Sequence, residues 1–406
     1  MNVDSSRPHI AVVGRRNVGK SLLVNSLLGQ NLSAVSEVAG TTMNPISKSF
    51  ELLPYGPVVI VDTAGIDDEG ELGKQKISET IKILSASDFA LVVIDARQTL
   101  QNKELELIAY LDKIQINYII AVNKIEFGIN PELLDELKEL RLTHFEVSCK
   151  EKAGIEELKR KIIRLLPEAS KSLILDGIVS KGDTIVMVEP IDANLPKGKL
   201  ILSHIQMIRE ALDENATVII CKAKELSSTL NNLKSYPDLV VVESSSFLFA
   251  VSNVPEKVKL TTFSILMARY KGDLQTYVKG LGRINELKDG DRVLIAEACL
   301  HHIKEEEMSK VKIPEWLHNH TKKDLRIDVV QDVDLPNNLS IYNLIIHCNG
   351  CMLTRRAMQT RINEAKLMDV PVVTYGVVTS YMQGAIPRAL VPFSDAFTEW
   401  GKVKSK

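Results

Sequence analysis

The sequence predicts an α/β protein of three domains, each built around a parallel β-sheet. Its 406 residues correspond to two to three domains at roughly 150 residues each. Short β-rich runs alternate with helix-like stretches along the chain, which is typical of parallel sheets. A hydrophobic content of 45% in a chain of this length is enough for several cores, so folding does not need disulfides.

Charge and terminal composition narrow the classes of function. Lys plus Arg (50) nearly balance Asp plus Glu (52), which excludes a broad non-specific nucleic-acid binder. The N-terminal sequence lacks a secretory pattern, and no apolar run reaches the roughly 18 residues of a membrane span. Five cysteines are too few for a secreted disulfide framework. We therefore expect a cytoplasmic protein that does not bind a membrane.

Three segments follow from the alternation of predicted strands and helices. The first, residues 1–167, has predicted strands at 9–13, 57–62, 89–95 and 117–123 and a closing helix at 154–166. The second, residues 173–259, has strands at 184–188, 217–221 and 239–242 but no glycine-rich loop after them, so we expect a role in packing or self-association. The third, residues 260–406, has predicted helices at 260–271 and 354–367 and strands at 291–298, 342–347 and 370–375.

A phosphate-binding pattern lies near the N-terminus. Residues 14–21, Gly-Arg-Arg-Asn-Val-Gly-Lys-Ser, match G-x-x-x-x-G-K-[ST] between a strand and a helix. Glycines allow backbone N–H groups to surround a phosphate, and the helix N-terminus adds partial positive charge. The pattern predicts that Lys20 contacts the β- and γ-phosphates and that Ser21 ligates Mg²⁺.

Companion motifs follow in the same segment. Asp62-Thr-Ala-Gly65 follows an apolar strand, so Asp62 can hold Mg²⁺ through water and the Gly65 N–H can meet the γ-phosphate. Gly40-Thr41-Thr42 has the position of a switch loop whose threonine closes on Mg²⁺. Asn123-Lys-Ile-Glu126 and Ser148-Cys-Lys150 each follow a later strand.

These motifs resemble those of translation-factor-like GTPases of the Era and tRNA-modification type, over about the first 165 residues. The resemblance implies that Asn123 and Glu126 recognise guanine and that Lys124 packs over the base. The family has Asp where this chain has Glu126, so we expect weaker discrimination of GTP from ATP. The implied catalytic residues are Lys20, Thr42, Asp62 and Gly65, and the implied Mg²⁺ ligands are Ser21 and Thr42. The implied nucleotide-binding residues are Gly14, Asn17, Val18, Gly19, Lys20, Ser21, Leu22, Thr41, Thr42, Asp62, Gly65, Asn123, Lys124, Glu126, Ser148, Cys149 and Lys150.

Two residues bear on the rate of hydrolysis. Ile66 stands where Ras-like enzymes have the glutamine that orients the attacking water, which predicts slow hydrolysis. Asn17 resembles the potassium-coordinating asparagine of the tRNA-modification branch. The resemblance therefore implies K⁺-stimulated hydrolysis.

Cysteines and histidines form a second candidate site. Cys299-Leu-His301 and His347-Cys348-Asn-Gly-Cys351 each follow a predicted strand, and the carboxyl ends of parallel strands meet at one edge of a sheet. Zinc would take four of these ligands and close the site. An iron–sulfur cluster would take three cysteines and leave one iron for His301, His347 or an acidic residue such as Glu305. Residue types alone slightly favour zinc, and three buried reduced cysteines are the structural alternative.

The arrangement of both sites resembles the FeFe-hydrogenase maturation GTPases of the HydF type, over the whole chain. Cys-x-His is followed, after 45 residues, by His-Cys-x-x-Cys, behind a GTPase domain and a middle α/β domain. The resemblance implies a 4Fe–4S cluster on Cys299, Cys348 and Cys351, at the carboxyl ends of parallel strands. It also implies a scaffold that receives a diiron precursor from two radical-SAM maturases and delivers it to the apo-hydrogenase. The middle domain would form a homodimer, and the nucleotide state would change the affinity for protein partners.

The main alternative is a ribosome- or tRNA-associated GTPase with a zinc-stabilised C-terminal domain. It would need a basic stripe with interleaved aromatic residues. Arg355-Arg356, Lys310 and Lys312 are only fragments of one, and aromatic residues make up 5% of the chain. A redox enzyme is a third class, but no motif for a second cluster or a flavin is visible.

Overall fold

The computed structural model describes residues 7–29, 46–67, 70–166, 173–189, 202–298, 308–331, 335–336, 338–348, 350 and 353–405. Its contacts divide the chain into two compact units, one within residues 3–171 and the other within residues 172–406. Several predicted site residues lie outside the described residues: Thr41, Thr42, Cys299, His301, Glu305 and Cys351.

The first unit contains a six-stranded sheet with the strand order β2-β3-β1-β4-β5-β6. All described pairs are parallel except β2 with β3. The four predicted strands are confirmed as β1, β3, β4 and β5, whereas the edge strand β2 was not predicted. The elements are β1 (His9–Gly14), α1 (Lys20–Leu27), β2 (Ile46–Leu52), β3 (Gly56–Asp62), α2 (Gly70–Ala86), β4 (Phe89–Asp95), α3 (Asn102–Lys113), β5 (Asn117–Asn123), α4 (Pro131–Glu139), β6 (His144–Val147) and α5 (Ile155–Leu165).

This sheet is buried on both faces because successive side chains of a strand point to opposite sides. Ile10 and Val12 of β1 belong to the core on one face, together with residues of α1 and α5. Ala11 and Val13 belong to the core on the other face. The motif-bearing loops after β1, β3 and β5 therefore lie at one edge of a rigid sheet.

The second unit contains two four-stranded sheets. The first has the order β10-β9-β7-β8 with parallel pairs. Its elements confirm the predicted alternation: β7 (Thr184–Glu189), α6 (Leu202–Asp213), β8 (Thr217–Lys222), α7 (Leu226–Asn232), β9 (Leu239–Val242), α8 (Phe247–Asn253) and β10 (Lys259–Thr262).

The prediction of a helix from residue 260 was wrong for its first three residues. Leu260 pairs with Val240 in β10, so the strand extends this sheet to Thr262, beyond the predicted boundary at 259. Thr262 then caps the helix, because its side chain accepts a hydrogen bond from the Ile265 N–H. Pairing with β9 decided the conformation of this stretch. The division into three domains stays a prediction.

The last sheet has the order β12-β11-β13-β14, again with parallel pairs. The edge strand β12 was not predicted, because most of its residues are only half-buried and its apolar pattern is weak. The elements are α9 (Phe263–Lys271), α10 (Leu274–Glu286), β11 (Arg292–Glu297), α11 (Ile313–Thr321), β12 (Arg326–Gln331), β13 (Leu344–His347), α12 (Arg355–Leu367), β14 (Val372–Thr374), α13 (Tyr375–Met382) and α14 (Ser394–Lys404). None of the described helices combines the length and the apolar character that crossing a membrane requires.

Candidate nucleotide site and cysteine site

The loop between β1 and α1 surrounds the side chain of Lys20. Lys20 Nζ donates to the carbonyl oxygens of Gly14 (3.0 Å) and Arg15 (2.8 Å). Gly14 has a positive φ of 148°, and a Cβ atom there would lie 2.2 Å from the Val93 carbonyl oxygen. Only glycine therefore allows this loop to pass β4 so closely. The result is a loop at the N-terminus of α1 with a buried ammonium, as the phosphate-binding pattern predicts.

A hydroxyl and a carboxylate that could hold a divalent cation meet beside this loop. Ser21 Oγ donates to Asp62 Oδ2 at 2.6 Å, although the two residues are 41 positions apart. Asp62 Oδ1 is buried and accepts no hydrogen bond among the described residues. Burial raises the pKa of Asp62, while the Ser21 hydroxyl and Lys20 act in the opposite direction. A hydroxyl and a carboxylate with a spare oxygen fit Mg²⁺ and its water.

Gly65 lies against the phosphate-binding loop. A Cβ atom at Gly65 would be 3.0 Å from the Arg16 backbone nitrogen, so the turn after β3 and the loop after β1 are in close approach. The side chain of Asp67 accepts a hydrogen bond from the same Arg16 N–H at 2.6 Å. The Asp62–Gly65 turn is thus in a position to respond to a phosphate bound in the loop.

The segment Asn123–Glu126 (the guanine motif) contacts two other loops. Asn123 Nδ2 donates to the Val18 carbonyl oxygen (2.9 Å), and Asn123 Oδ1 accepts from the Cys149 N–H (3.2 Å). Lys124 lies in the left-handed region with φ of 73° and donates to the Asn17 carbonyl oxygen. Asn123 and Lys124 therefore join the phosphate-binding loop to the loop after β6.

Glu126 carries a carboxylate oxygen that a ligand could bind. Its Oε2 atom is buried and has no hydrogen-bond partner among the described residues. A buried carboxylate oxygen without a donor is costly, so a bound ligand with N–H groups would stabilise it. The N1–H and N2–H groups of guanine are such donors, and the longer side chain is therefore compatible with the role.

The loop after β6 supports this site through its backbone. Ser148 Oγ accepts a hydrogen bond from the Glu151 N–H at 3.0 Å, which shapes the turn. Burial raises the pKa of Cys149 to about 12, with Glu126 adding to the shift. Cys149 is therefore a neutral packing residue, and Lys150 lies over the ring of Phe127.

Sequence reasoning missed Asp95 at the end of β4. Its carboxylate accepts hydrogen bonds from Lys124 Nζ (2.8 Å) and from Arg97. Burial alone would raise the pKa of Asp95, but the bonds from Arg97 and Lys124 outweigh it and hold the pKa below its ordinary value. Asp95 thus fixes the lysine of the guanine motif. The sequence feature that could have indicated this role is an aspartate at the end of the otherwise apolar strand β4, which pairs with β5.

In the second unit, the predicted meeting of two strand ends is present. Cys348 follows β13 directly and is buried. The backbone N–H of Ala298, one residue before Cys299, donates to Cys348 Sγ at 3.3 Å. The described residues contain no group of three or more His, Cys, Asp or Glu side chains arranged to hold a metal ion.

His347 is enclosed by protein hydrogen bonds. Its Nε2 accepts from Arg361 Nη1 at 2.5 Å, because a guanidinium can only donate. Its Nδ1 therefore carries the proton and donates to the Cys348 carbonyl oxygen at 2.6 Å. Burial, together with the charge of Arg361, lowers the pKa of His347 to about 3. The neutral ring thus supports Cys348, the first residue of the segment 348–354 (the cysteine loop).

Three further buried polar residues near Cys348 were not predicted. Lys271 donates to the carbonyl oxygens of residues 350 and 353, which flank Cys351. Glu297, the last residue of β11, accepts from Tyr375 Oη (3.1 Å) and from Gln331 Nε2 (2.8 Å). Burial and the neighbouring Glu297 raise the pKa of Tyr375. An isolated lysine or glutamate carries no motif, so only its burial in the fold reveals it.

Three known protein families match successive parts of this chain. The family described as "Hydrogen maturase F dimerization domain" matches residues 174–272, and the family described as "Hydrogen maturase F tetramerization domain" matches residues 275–392. Together they span more than half of the chain. A third family, "50S ribosome-binding GTPase", matches residues 9–124. The chain belongs to the HydF type of hydrogenase maturation GTPases.

Curated relatives of this HydF-type chain fit its GTPase part. The tRNA modification GTPase MnmE of Thermoanaerobacter sp. (strain X514) is 37% identical over 175 residues, which are 42% of this chain and 36% of that protein. GTPase Der of Wolinella succinogenes is 33% identical over 179 residues, which are 41% and 38% of the two chains. The chain thus spans little more than a third of the length of these relatives.

The similar solved structures include Aquifex aeolicus Era bound to GDP.AlF4-, at 18% identity and a TM-score of 0.36, covering 80% of this chain and 94% of that one. The comparisons confirm the predicted GTPase domain and the predicted HydF-type family. The two maturase domains also support homo-oligomerisation, and the tetramerization domain was not predicted.

Proposed function

We propose that this HydF-type protein is a GTP-hydrolysing scaffold and carrier for assembly of the FeFe-hydrogenase active site. It would bind a 4Fe–4S cluster through Cys299, Cys348 and Cys351 and pass a diiron precursor from two radical-SAM maturases to the apo-hydrogenase. The observation that supports this most is the hydrogen bond from the Ala298 N–H to Cys348 Sγ. It brings the chain position next to Cys299 against the cysteine that follows β13.

The residues around Cys348 fit such a cluster. Thiolates suit iron–sulfur clusters, and the N-terminus of α12, capped by Thr354, favours a thiolate nearby. An iron–sulfur cluster on three cysteines supplies an iron with one exchangeable position. Both ring nitrogens of His347 are already bonded to protein groups, so we propose that His347 orients the loop and does not ligate. His301, Glu305 or an exogenous ligand would then take the fourth position.

In the GTPase domain, different residues would bind the phosphates, the Mg²⁺ ion and the base of the nucleotide. The N–H groups of the loop and Lys20 would bind the phosphates, while Ser21 and Asp62 would hold Mg²⁺, with Thr42 completing the set. Asn123, Lys124 and Glu126 would select guanine, braced by residues 148–150. Ile66 is buried in a core cluster, and its side chain cannot hydrogen-bond a water molecule. This supports slow hydrolysis of GTP. Binding of K⁺ at Asn17 would raise the rate.

Cluster binding can be tested by anaerobic reconstitution with iron and sulfide. We expect wild-type protein to bind about four iron atoms per chain with visible charge-transfer absorption, because three cysteines would hold a 4Fe–4S cluster. Cys348→Ser should lose most of this iron. Cys221→Ser is the matched control, since Cys221 lies in β8 of the other sheet and should retain the cluster.

Two results would contradict the proposal. Wild-type protein that binds one zinc ion and no iron would support the zinc-stabilised alternative. Retention of full iron content and colour by Cys348→Ser would remove that residue from the ligands. The GTPase rate is measured on the same samples and should be unchanged, because Cys348 lies in the second unit.

Potassium dependence is tested separately. Replacing NaCl with KCl at equal ionic strength should raise the rate of GTP hydrolysis, because K⁺ near Asn17 would stabilise the charge that develops on the phosphates. The effect should disappear in Asn17→Ala. Identical wild-type rates in the two salts would exclude this role for Asn17.

A further inference from the structure

Lys271 is a fully buried lysine at the end of α9, with an exposed fraction of 1%. Its Nζ atom donates to the carbonyl oxygens of Gly350 (2.7 Å) and Leu353 (2.9 Å). The two acceptors flank Cys351 in the segment that leads from Cys348 to α12. One ammonium group thus contacts the cysteine loop from a helix that is about 80 residues away in the sequence.

A buried ammonium is costly, because transfer from water removes its hydration and hydrogen bonds return only part of that energy. The neighbouring positions Ile265, Leu266 and Ala268 of α9 are buried and apolar. An apolar side chain at position 271 would avoid the cost of burying a charge. A positive charge at this place is better explained by a negative charge close by. Three thiolates on a cluster carry such a charge.

The cysteine loop is held from two sides. Gly350 has a positive φ of 61°, and a Cβ atom there would lie 2.4 Å from Met358 Cε of α12. On the other side its carbonyl oxygen accepts the Lys271 hydrogen bond. Gly350 is therefore close to α12 on one side and bonded to α9 on the other.

Helix α9 is itself well anchored. It begins directly after β10 of the neighbouring sheet, and Phe263 at its start stacks on the ring of His204 at a centroid distance of 3.6 Å. Thr261 Oγ1 in β10 donates to the Ala389 carbonyl oxygen at 2.9 Å. The N-terminal end of this nine-residue helix is thus fixed by its neighbours, and Lys271 is its last residue.

We propose that Lys271 is a positioning residue of the cluster site, which holds the Cys348–Cys351 loop in its ligating conformation and raises the reduction potential of the cluster through its buried positive charge. The inference rests on the proposed cluster function. A positive charge in a poorly solvated site favours the reduced, more negative cluster, because the interaction is weakly screened there.

The test compares reconstituted full-length wild type with Lys271→Met and Lys271→Arg by EPR-monitored redox titration and by the rate of iron release to a chelator. We expect Lys271→Met to lower the midpoint potential. At the wild-type midpoint, the ratio of reduced to oxidised cluster should fall about tenfold, which corresponds to about 59 mV for one electron. Iron release should be faster. Lys271→Arg should restore much of the potential, since it keeps the charge.

Lys366→Met is the matched control, because it removes a half-exposed positive charge from α12, where solvent screens it. Its potential should stay at the wild-type value. Circular dichroism and denaturant unfolding report on folding of the variants, and GTPase activity shows that the first unit is intact. A Met variant without a cluster, beside an Arg variant that binds one, also supports the proposal.

Wild-type potential and iron release in Lys271→Met would overturn the inference. So would equal changes in the Met and Arg variants, because these would indicate a packing effect without a role for charge. Failure of wild-type protein to bind a cluster would instead contradict the proposed function, so the two failures are distinguishable.

Discussion

The phosphate-binding loop of the first unit and the cysteine loop of the second unit are built alike. Each follows a central strand that pairs in parallel with both of its neighbours, and each has carbonyl oxygens bound by a buried lysine. Lys20 Nζ contacts the carbonyl oxygens of residues 14 and 15, and Lys271 Nζ contacts those of residues 350 and 353. Each loop is followed by the N-terminus of a helix, α1 or α12.

The two loops differ in the origin of the lysine. Lys20 is six positions from Gly14, whereas Lys271 is 79 positions from Gly350 and belongs to a different helix. In the phosphate-binding loop, the short sequence motif therefore includes the lysine that would balance the charge of the phosphates. In the second case the counter-charge comes from tertiary structure, and a search for motifs cannot find it.

The largest expected effect is on the first loop. Lys20→Ala should lower kcat/KM for GTP by about 10²- to 10³-fold, because it removes the charge that stabilises the phosphates in the transition state. Lys103→Ala, which removes an exposed lysine paired with Glu106, is the control and should be nearly neutral. Steady-state hydrolysis assays measure both, and iron content should stay at the wild-type level. Normal turnover by Lys20→Ala would contradict the role of a buried lysine that the two loops are expected to share.

A smaller effect is expected at the base-recognition end. Glu126→Gln should reduce the preference for GTP over ATP by about tenfold, because the buried Oε2 acceptor becomes, in part, a donor facing the donors of guanine. Competition binding of GTP against ATP measures this preference. Glu139→Gln, on the exposed face of α4, is the matched control. Equal wild-type affinities for the two nucleotides would refute the guanine assignment.

The smallest effect concerns Asp273, the residue that caps α10. Asp273 caps α10, accepting from the Thr276 N–H at 3.1 Å and from Lys366 Nζ at 2.9 Å. Burial alone would raise the pKa of Asp273, but the bonds from Thr276 and Lys366 outweigh it and lower the pKa. Asp273→Ala should reduce the free energy of unfolding by about 1 kcal/mol at pH 7.

The pH dependence of this effect has a definite sign. Since the folded pKa is lowered, the contribution of Asp273 is fully present above the unfolded pKa of about 3.9. It is lost as the pH falls through the folded pKa. Denaturant unfolding of wild type and Asp273→Ala at several pH values measures it, with Asp273→Asn as a control that keeps the cap. A difference that does not shrink in acid would contradict this account.

The first unit was predicted more completely than the second. The central strands β4 and β5 of the first unit are mostly apolar and buried, so they have the predicted bounds. In the second unit, residues 260–262 were assigned to a helix although they form β10, because pairing with β9 decides their conformation. His347 was predicted as a candidate ligand, whereas Arg361, 14 positions later, occupies its Nε2.

By itself the sequence determined the phosphate-binding loop, the guanine motif and the position of Cys348 after a strand. These features depend on local residue order, because a turn, a strand end and a helix start are made by neighbouring residues. Tertiary structure alone decided that Lys271, Arg361 and Glu297 are buried around the cysteine loop and that Asp95 holds Lys124. Their partners are distant in sequence, and the cost of burying their charges can be evaluated only once the chain is folded.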